Sequence, residues 1–187
     1  MTGTAEKVVV RPARRADAAA IARVYVETWR ATYAGILPDR VLVEMSQDRQ
    51  ALIWSRAIAT PGRAGFVVVA EDPDAGVIGF GSGGPAADGP PGWGEVYTLY
   101  VPSDHQSQGV GRALLFTLFG EFVTRGVPSA LVWVLAANPF RFFYEAMGGQ
   151  RIAEREERLW GKRVTQVAYG WEDLTRAVPP GGPSPCV

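Results

Sequence analysis

The stretch with the clearest chemical potential covers residues 95–112, EVYTLYVPSDHQSQGVGR, where an apolar strand leads through a short loop into a helix. Gly109 and Gly111 stand where that helix begins. The first turn of a helix presents free N–H groups and a partial positive charge. Glycine also lets a ligand approach the backbone closely. The segment therefore predicts a cradle for a phosphate or pyrophosphate group.

Two common phosphate-binding loops are excluded by the same residues. A Walker A loop needs Lys-Ser or Lys-Thr after its last glycine, and Arg112-Ala113 stands there instead. A dinucleotide-binding fingerprint needs a further glycine three residues after Gly111, where Leu114 stands. This motif alone leaves an alternative open. The glycines could serve only to ease the backbone conformation at the start of the helix, with no ligand bound there.

The composition limits the remaining chemistry. The 187 residues are 47% hydrophobic and 20% charged, which fits one folded domain. The 19 basic and 19 acidic residues balance, so no excess of positive charge points to a nucleic-acid partner. Cys186 and His105 are the single cysteine and histidine, which excludes an internal disulfide and a multi-cysteine or multi-histidine metal site.

The sequence also bears on where the protein is located in the cell. No apolar run reaches 18 residues, and the first residues lack the apolar region of a secretory signal. We therefore expect no metal, no membrane association and a cytoplasmic location.

The elements that position the loop are predicted from hydrophobic periodicity. Short β-branched or continuous apolar runs predict strands at 7–11, 66–71, 77–82, 95–101, 130–135, 150–155 and 162–171. Helical spacing of apolar residues predicts helices at 18–33, 39–58, 109–125 and 138–148. The glycine- and proline-rich stretch 83–94 is predicted to be a loop.

Two helix starts carry capping residues. Asp17 stands before the first helix, and Asn138 followed by Pro139 opens the last. The element order predicts one α+β domain with a mixed sheet of about seven strands flanked by about four helices. The strand–helix–strand unit at 95–135 predicts a parallel pair. Residues 7–174 form this domain, between a flexible N-terminus (1–6) and a flexible Pro/Gly-rich tail (175–187).

These motifs together resemble a known family. Gln106-Ser107-Gln108-Gly109-Val110-Gly111 matches the Q/R-x-x-G-x-G/A signature of the GCN5-related N-acetyltransferases, the GNAT superfamily. The preceding strand at 99–102 resembles that family's fourth strand, and Asn138, Tyr144 and Gly148 are similar to its N-x-x-x-x-x-Y-x-x-x-G helix. The predicted element order is also that of the family. The resemblance covers about residues 7–171.

The resemblance implies that acetyl-CoA is the acetyl donor. In this family backbone N–H groups of the loop at 106–112 hold the pyrophosphate, and pantetheine lies beside the fourth strand like an added strand. The implied cofactor-binding residues are Leu99, Tyr100, Val101, Gln106, Gln108, Gly109, Val110, Gly111, Arg112 and Asn138. For Arg112, a solvated side chain is the alternative.

Two residues are implied in catalysis. Tyr144 matches the family's general acid, which protonates the departing thiolate, although a core aromatic is the alternative. Glu95 lies eleven residues before Gln106, an offset at which the histone-acetylating branch carries a glutamate, and we take it as the candidate base. Its side chain is expected on the same face of the strand as Tyr97 and Leu99. A solvent-facing glutamate is the alternative.

The acceptor is predicted to be a small primary amine. Glu27, Trp29 and Tyr33 lie on the helix that walls the acceptor pocket in the family, with core packing or a surface position as the alternative. Residues 28–38 resemble a subgroup pattern, some members of which acetylate polyamines, so a polyamine is the named expectation. A protein N-terminus or lysine, a different acyl donor, a non-catalytic acyl-CoA sensor and a homodimer remain open.

Overall fold

The computed structural model describes residues 8–60 and 65–177. The strands within them are β1 (Val9–Pro12), β2 (Phe66–Asp72), β3 (Gly76–Pro85), β4 (Gly94–Tyr100), β5 (Ala130–Leu135), β6 (Gln150–Leu159) and β7 (Lys162–Trp171). The helices are α1 (Ala18–Tyr33), α2 (Asp39–Val43), α3 (Gln47–Ala59), α4 (Val110–Thr124), α5 (Phe142–Ala146) and α6 (Leu174–Ala177). The predicted flexible N-terminus and residues 178–187 of the predicted tail lie outside the described residues.

The seven strands form one sheet in the order β1-β2-β3-β4-β5-β7-β6. β4 and β5 are parallel, and the other neighbouring pairs are antiparallel. A parallel pair needs a crossover connection, which α4 supplies. The predicted α+β class and mixed seven-stranded sheet are confirmed.

Helices cover both faces of the sheet. On one face α4 buries Leu114, Leu118 and Phe122 completely or nearly so. On the other, α1 and α3 pack Ile21 and Trp54 against the sheet. These two apolar layers hold the ends of β4 and α4, where the predicted cradle lies, on a rigid support.

The expectation of about four helices is wrong, because the described residues contain six. The predicted helix at 39–58 is interrupted at 44–46, where the Ser46 hydroxyl accepts from the Arg49 N–H and starts α3. The Arg30 guanidinium donates to the backbone oxygens of Leu42 and Met45 at 3.0 and 3.1 Å. These bonds satisfy carbonyl groups at the end of α2, so the helix can stop there. The other added helix is α6, which includes residues 175–177 of the predicted tail.

The predicted loop at 83–94 is also shorter than expected, since β3 continues to Pro85 and β4 begins at Gly94. A Cβ atom on Gly83 or Gly94 would lie 2.8 or 2.5 Å from the Phe122 ring. These glycines therefore allow the strands to approach an aromatic ring rather than form a turn. β6 likewise runs past residue 155 to Leu159, since its pairing with β7 continues to Lys162.

The carboxylate of Asp17 does not cap α1 as predicted. It accepts from the Arg11 guanidinium at 2.8 and 3.0 Å and from the Arg14 N–H at 2.6 Å. Arg11 also donates to Glu71 on β2 at 2.7 Å. Asp17 thus connects the first two strands to the start of α1.

Replacing Asp17 by asparagine is expected to destabilise the fold by about 1.5–3 kcal/mol, the usual value for hydrogen bonds to charged groups. For a chain of this size the melting temperature falls by roughly 3–12 °C. The Arg11 bonds lower the pKa of Asp17. Its stabilisation is therefore present above the ordinary carboxyl pKa and is lost as the pH falls. Thermal unfolding at neutral and acidic pH measures both effects.

Asp74, exposed in the turn between β2 and β3, provides the matched control as Asp74→Asn. Equal melting temperatures for the two variants would contradict the role given to the Arg11–Asp17 pair.

Candidate active site

β4 and β5 are joined at one end only. They pair at Gly94 with Ala130 and at Glu95 with Leu131, and then separate. β4 remains bonded to β3 on its other side, and β5 to β7. The edge of β4 facing β5 therefore carries free backbone groups over 96–100 that another extended chain can bond. A cavity of about 500 Å³ opens beside this edge.

The cavity brings together most of the residues singled out from the sequence. Those that line it are Trp29, Tyr33, Leu99, Tyr100, Val101, Gln106, Gly109, Gly111, Arg112, Asn138 and Tyr144. Four named residues do not line it, namely Glu27, Glu95, Gln108 and Val110.

The start of α4 closes one end of the cavity. Gly109 is the residue before the first helical turn and has a φ of 85°, which favours glycine. No side chain of the described residues caps this helix end, so its N–H groups are available to a ligand. Ser107 in the same loop also has a positive φ of 59°. Strained backbone of this kind is concentrated at functional sites.

Gly111 lies one residue into the helix and faces the cavity. A Cβ atom there would lie 3.6 Å from the Phe143 ring and 4.0 Å from Val101, which are ordinary contacts. The protein itself therefore has room for a small side chain, and a longer one would project into the cavity.

The side chains around this helix start make contacts of their own. The Gln106 amide donates to the Val101 carbonyl at 2.8 Å and holds the loop against the end of β4. Gln108 donates to the Asp104 carbonyl at 3.0 Å, and the Val110 side chain is buried in the core. The side chains of Gln108 and Val110 therefore do not line the cavity. The Arg112 guanidinium lies over the Phe116 ring at 5.2 Å and is the one charged group among the described lining residues.

Tyr144 and Asn138 also line the cavity. The Asn138 side-chain oxygen accepts from the Phe140 N–H at 2.9 Å and caps a 3-10 turn, Pro139–Arg141, that leads into α5. The predicted helix at 138–148 is thus a capped 3-10 turn followed by the shorter α5. The Tyr144 ring stacks on Tyr169 at 6.2 Å between centroids and is 9% exposed. Burial raises the pKa of the Tyr144 phenol, which stays protonated at neutral pH and can donate. The structure thus combines the core position and the cavity position that the sequence left as alternatives.

A β-bulge changes the expected face of Glu95. Ser82 pairs with Thr98 but Gly83 pairs with Val96, which leaves Tyr97 as the extra residue. Val96 and Leu99 both pack on the α4 side, so Glu95 points to the opposite face of the sheet. The expectation that Glu95 and Leu99 share a face is wrong, because the bulge reverses the alternation between them.

The Glu95 carboxylate is half-buried near the loop between β3 and β4. Burial raises its pKa, while the Ala87 N–H and the positive charge of Arg155 act in the opposite direction. A carboxylate with a raised pKa is a better proton acceptor near neutral pH than an exposed one. Since it does not line the cavity, it can reach a substrate there only through water.

Helix α1 supplies an aromatic wall. Trp29 and Tyr33 lie one turn apart with ring centroids 4.9 Å apart, and both face the cavity. The Trp29 indole donates to the Tyr100 hydroxyl at 3.0 Å. Burial raises the pKa of Tyr33. Glu27 lies away from the cavity and pairs with Arg23 at 3.2 Å on the helix surface.

The sequence analysis missed the wall formed by three other strands. Trp133 of β5, Leu159 at the end of β6, Trp160 in the turn that follows and Gln166 of β7 all line the cavity. The Trp160-Gly161 pair marks a turn in the sequence, but no local pattern shows that this turn reaches α1. The Trp29 and Trp160 rings meet at 5.6 Å between centroids, across more than a hundred residues of chain.

None of the helices in the described part of the chain is both long and apolar enough to cross a membrane. Among residues 8–60 and 65–177, no group of three or more histidine, cysteine or acidic side chains is arranged to hold a metal ion.

The split parallel pair and the glycine-rich helix start at its opening together form the candidate active site. The model of the acetyltransferase (GNAT) family matches residues 19–148. An uncharacterized N-acetyltransferase, YuaI of Bacillus subtilis strain 168, is 36% identical over 170 residues, covering 90% of this chain and 95% of that protein. The chain belongs to the acetyltransferase (GNAT) family and is an N-acetyltransferase.

Solved structures share this fold. An N-acetyltransferase from Staphylococcus aureus Mu50 has a TM-score of 0.71 and 17% identity, covering 90% of this chain and 99% of that chain. The PaiA N-acetyltransferase of Thermoplasma acidophilum, solved with coenzyme A, has a TM-score of 0.65 and 19% identity, covering 86% and 97%. The fold predicted from the resemblance is confirmed.

Proposed function

We propose that this enzyme moves an acetyl group directly from acetyl-CoA to the primary amine of a small molecule. One observation carries the proposal. The free edge of β4, the uncapped start of α4 and the Tyr144 phenol all meet in one cavity. These are the groups needed to hold a thioester, bind its phosphates and protonate its sulfur.

The residues present fit acetyl-CoA. The N–H groups at the start of α4, with Arg112 beside them, would hold the pyrophosphate. The β4 edge at 99–101 would pair with pantetheine amides as an added strand does, and Asn138 would contact the same arm. Acetyl-CoA supplies an acyl group already activated as a thioester.

The protein's own groups then manage the protons. The acceptor attacks as the neutral amine, and Glu95 accepts through water the proton that the nitrogen releases as the C–N bond forms. A free N–H of β4 stabilises the negative charge that develops on the carbonyl oxygen. As the C–N bond forms and the C–S bond breaks, Tyr144 donates its proton to sulfur. Water returns the proton from Glu95 to Tyr144, so the net change moves acetyl to nitrogen and one proton to sulfur.

The β6–β7 turn closes one side of the cavity, which supports a small acceptor. Lys162, the first residue of β7 after the β6–β7 turn, donates to the Ile36 carbonyl at 2.7 Å. Leu159 packs in the same apolar cluster as Tyr33 and Leu37. The turn is thus attached to the segment after α1, and an extended peptide would need a groove open along this side.

The test is release of CoA from acetyl-CoA by a panel of amines, preceded by a melting curve with acetyl-CoA. Turnover with a small amine supports the proposal. A melting shift without turnover on any amine, including an N-terminal peptide and a lysine peptide, would instead favour a non-catalytic sensor. The cytoplasmic location and the homodimer stay predictions.

Glu95→Gln is expected to lower kcat/KM by about 10²-fold and to remove the acid limb of its pH profile. Because burial raises the pKa of Glu95, that limb in the wild type lies above the ordinary carboxyl range. The raised pKa also means that wild-type stability falls as pH rises from the ordinary to the raised value. The variant lacks this decline. Rates and melting curves across pH measure both.

Glu156→Gln, an exposed carboxylate on β6, is the control. A pH profile of Glu95→Gln that matches wild type would assign the base elsewhere.

A further inference from the structure

The acceptor end of the cavity has a distinctive chemistry. Its wall is formed mainly by aromatic side chains, which are Trp29, Tyr33, Tyr97, Tyr100, Trp133 and Trp160. Among the described residues, no aspartate, glutamate or lysine lines the cavity, and Arg112 lies at the opposite end, beside the start of α4. Resting on the function proposed above, we propose that the acceptor is a primary monoamine with a flat, uncharged aromatic body.

Neither Glu27 nor Glu95 lines the cavity, so neither provides a partner there for a second ammonium group. Glu27 is on the helix surface in its pair with Arg23. The negative charge of Glu95 already interacts with the positive charge of Arg155. A second buried ammonium would therefore lack a partner, which is strongly unfavourable.

One of the aromatic rings already has a cation stacked on it. The guanidinium of Arg155, a residue of β6, lies over the Trp133 ring at 4.1 Å. It is paired with Asp88 at 2.9 Å and with Glu157 at 3.7 Å, so those carboxylates are already occupied. Because the positive charge of Arg155 already lies on Trp133, an uncharged group of the acceptor fits beside this ring better than an ammonium group does.

The geometry of the rings suits a flat body. Trp160 is 40% exposed and has a φ of 49°, a conformation that costs energy for a residue other than glycine. Its ring nevertheless stands edge-on to Trp29 at 5.6 Å. An aromatic acceptor can stack or meet ring edges in this space, contacts that add to simple burial.

One polar group in the wall is available to a ligand. The Gln166 side chain lines the cavity, and its oxygen accepts from Arg155 at 2.8 Å, which leaves its amide N–H₂ to donate. A neutral polar substituent on the aromatic body would accept that hydrogen bond.

The test compares kcat/KM of the full chain for tryptamine and 2-phenylethylamine with that for spermidine and putrescine. The aromatic monoamines are expected to be better by on the order of 100-fold. Trp160→Ala should raise KM for tryptamine about tenfold more than it raises KM for propylamine, which lacks a ring. Trp93→Ala is the matched control, because Trp93 does not line the cavity. Melting curves with acetyl-CoA check that each variant is folded and binds its cosubstrate.

The outcomes separate the two proposals. Preference for spermidine or putrescine would overturn this inference and leave the acetyltransferase proposal standing. An equal loss with propylamine in Trp160→Ala would also overturn it, since the ring would then serve the fold rather than selection. Binding of acetyl-CoA without turnover on any of these amines would overturn the small-amine function itself.

Discussion

Tyr144→Phe is expected to lower kcat by about 10²–10³-fold, the range for loss of a positioned general acid. The phenol lines the cavity, and burial raises its pKa, so it carries its proton when the thiolate leaves. Without it the thiolate must be protonated by water or leave as an anion. Steady-state rates at saturating acetyl-CoA and amine measure the effect.

The same substitution should leave the fold and cosubstrate binding intact. The Tyr144 ring packs on Tyr169 and Phe143, and phenylalanine keeps those contacts. The Tyr169 hydroxyl is held separately by Glu145 at 2.7 Å. The melting temperature, and its increase with acetyl-CoA, are therefore expected to match wild type.

Tyr25→Phe is the control for Tyr144→Phe. Tyr25 belongs to the aromatic group around Trp29 and Tyr100, and burial raises its pKa to about 12, but it does not line the cavity. It should keep wild-type kcat. A Tyr144→Phe enzyme as fast as Tyr25→Phe would mean that Tyr144 is a core aromatic and that another group protonates the sulfur.

Gly111→Leu is expected to abolish binding of acetyl-CoA while the protein stays folded. The Cβ position makes only ordinary contacts with Phe143 and Val101, so the branched end of leucine extends into the cavity beside the helix start. At 100 times its dissociation constant a ligand stabilises by about 2.7 kcal/mol. In wild type this corresponds to a melting shift of roughly 5–11 °C, and the variant should show none.

Gly111→Ala is the matched control for the leucine variant. A single methyl group fits at 3.6 Å from Phe143, and the resemblance motif itself allows glycine or alanine at this position. Most of the melting shift should remain. A full shift in Gly111→Leu would show that acetyl-CoA does not use the start of α4, and the proposed binding mode would then be wrong.

Much of the fold could be predicted because the signals are local. The spacing of apolar residues in α1 and the Asn138-Pro139 start each depend on a few neighbouring residues, and the structure agrees with both. The parallel pairing of β4 with β5 also followed from the strand–helix–strand order. Eleven of the fifteen named site residues line one cavity because they lie on the predicted strand, loop and helices.

The errors share a different origin. The break at 44–46 depends on Arg30, which reaches the carbonyls of Leu42 and Met45 from another helix. The face of Glu95 depends on the bulge at Tyr97, which exists only in the pairing with β3. A shift of one residue in a strand moves every later side chain to the other face, so no local pattern reports it.

The sequence by itself determined the element order, the glycine cradle at 109–111 and the resemblance to an N-acetyltransferase, since all three are carried by neighbouring residues. The tertiary structure alone decided that β4 separates from β5 after Glu95 and that Trp160 and Gln166 line the same cavity as the start of α4. Those features come from contacts between residues far apart in the chain. Their geometry depends on strand register and packing, which exist only once the whole sheet has formed.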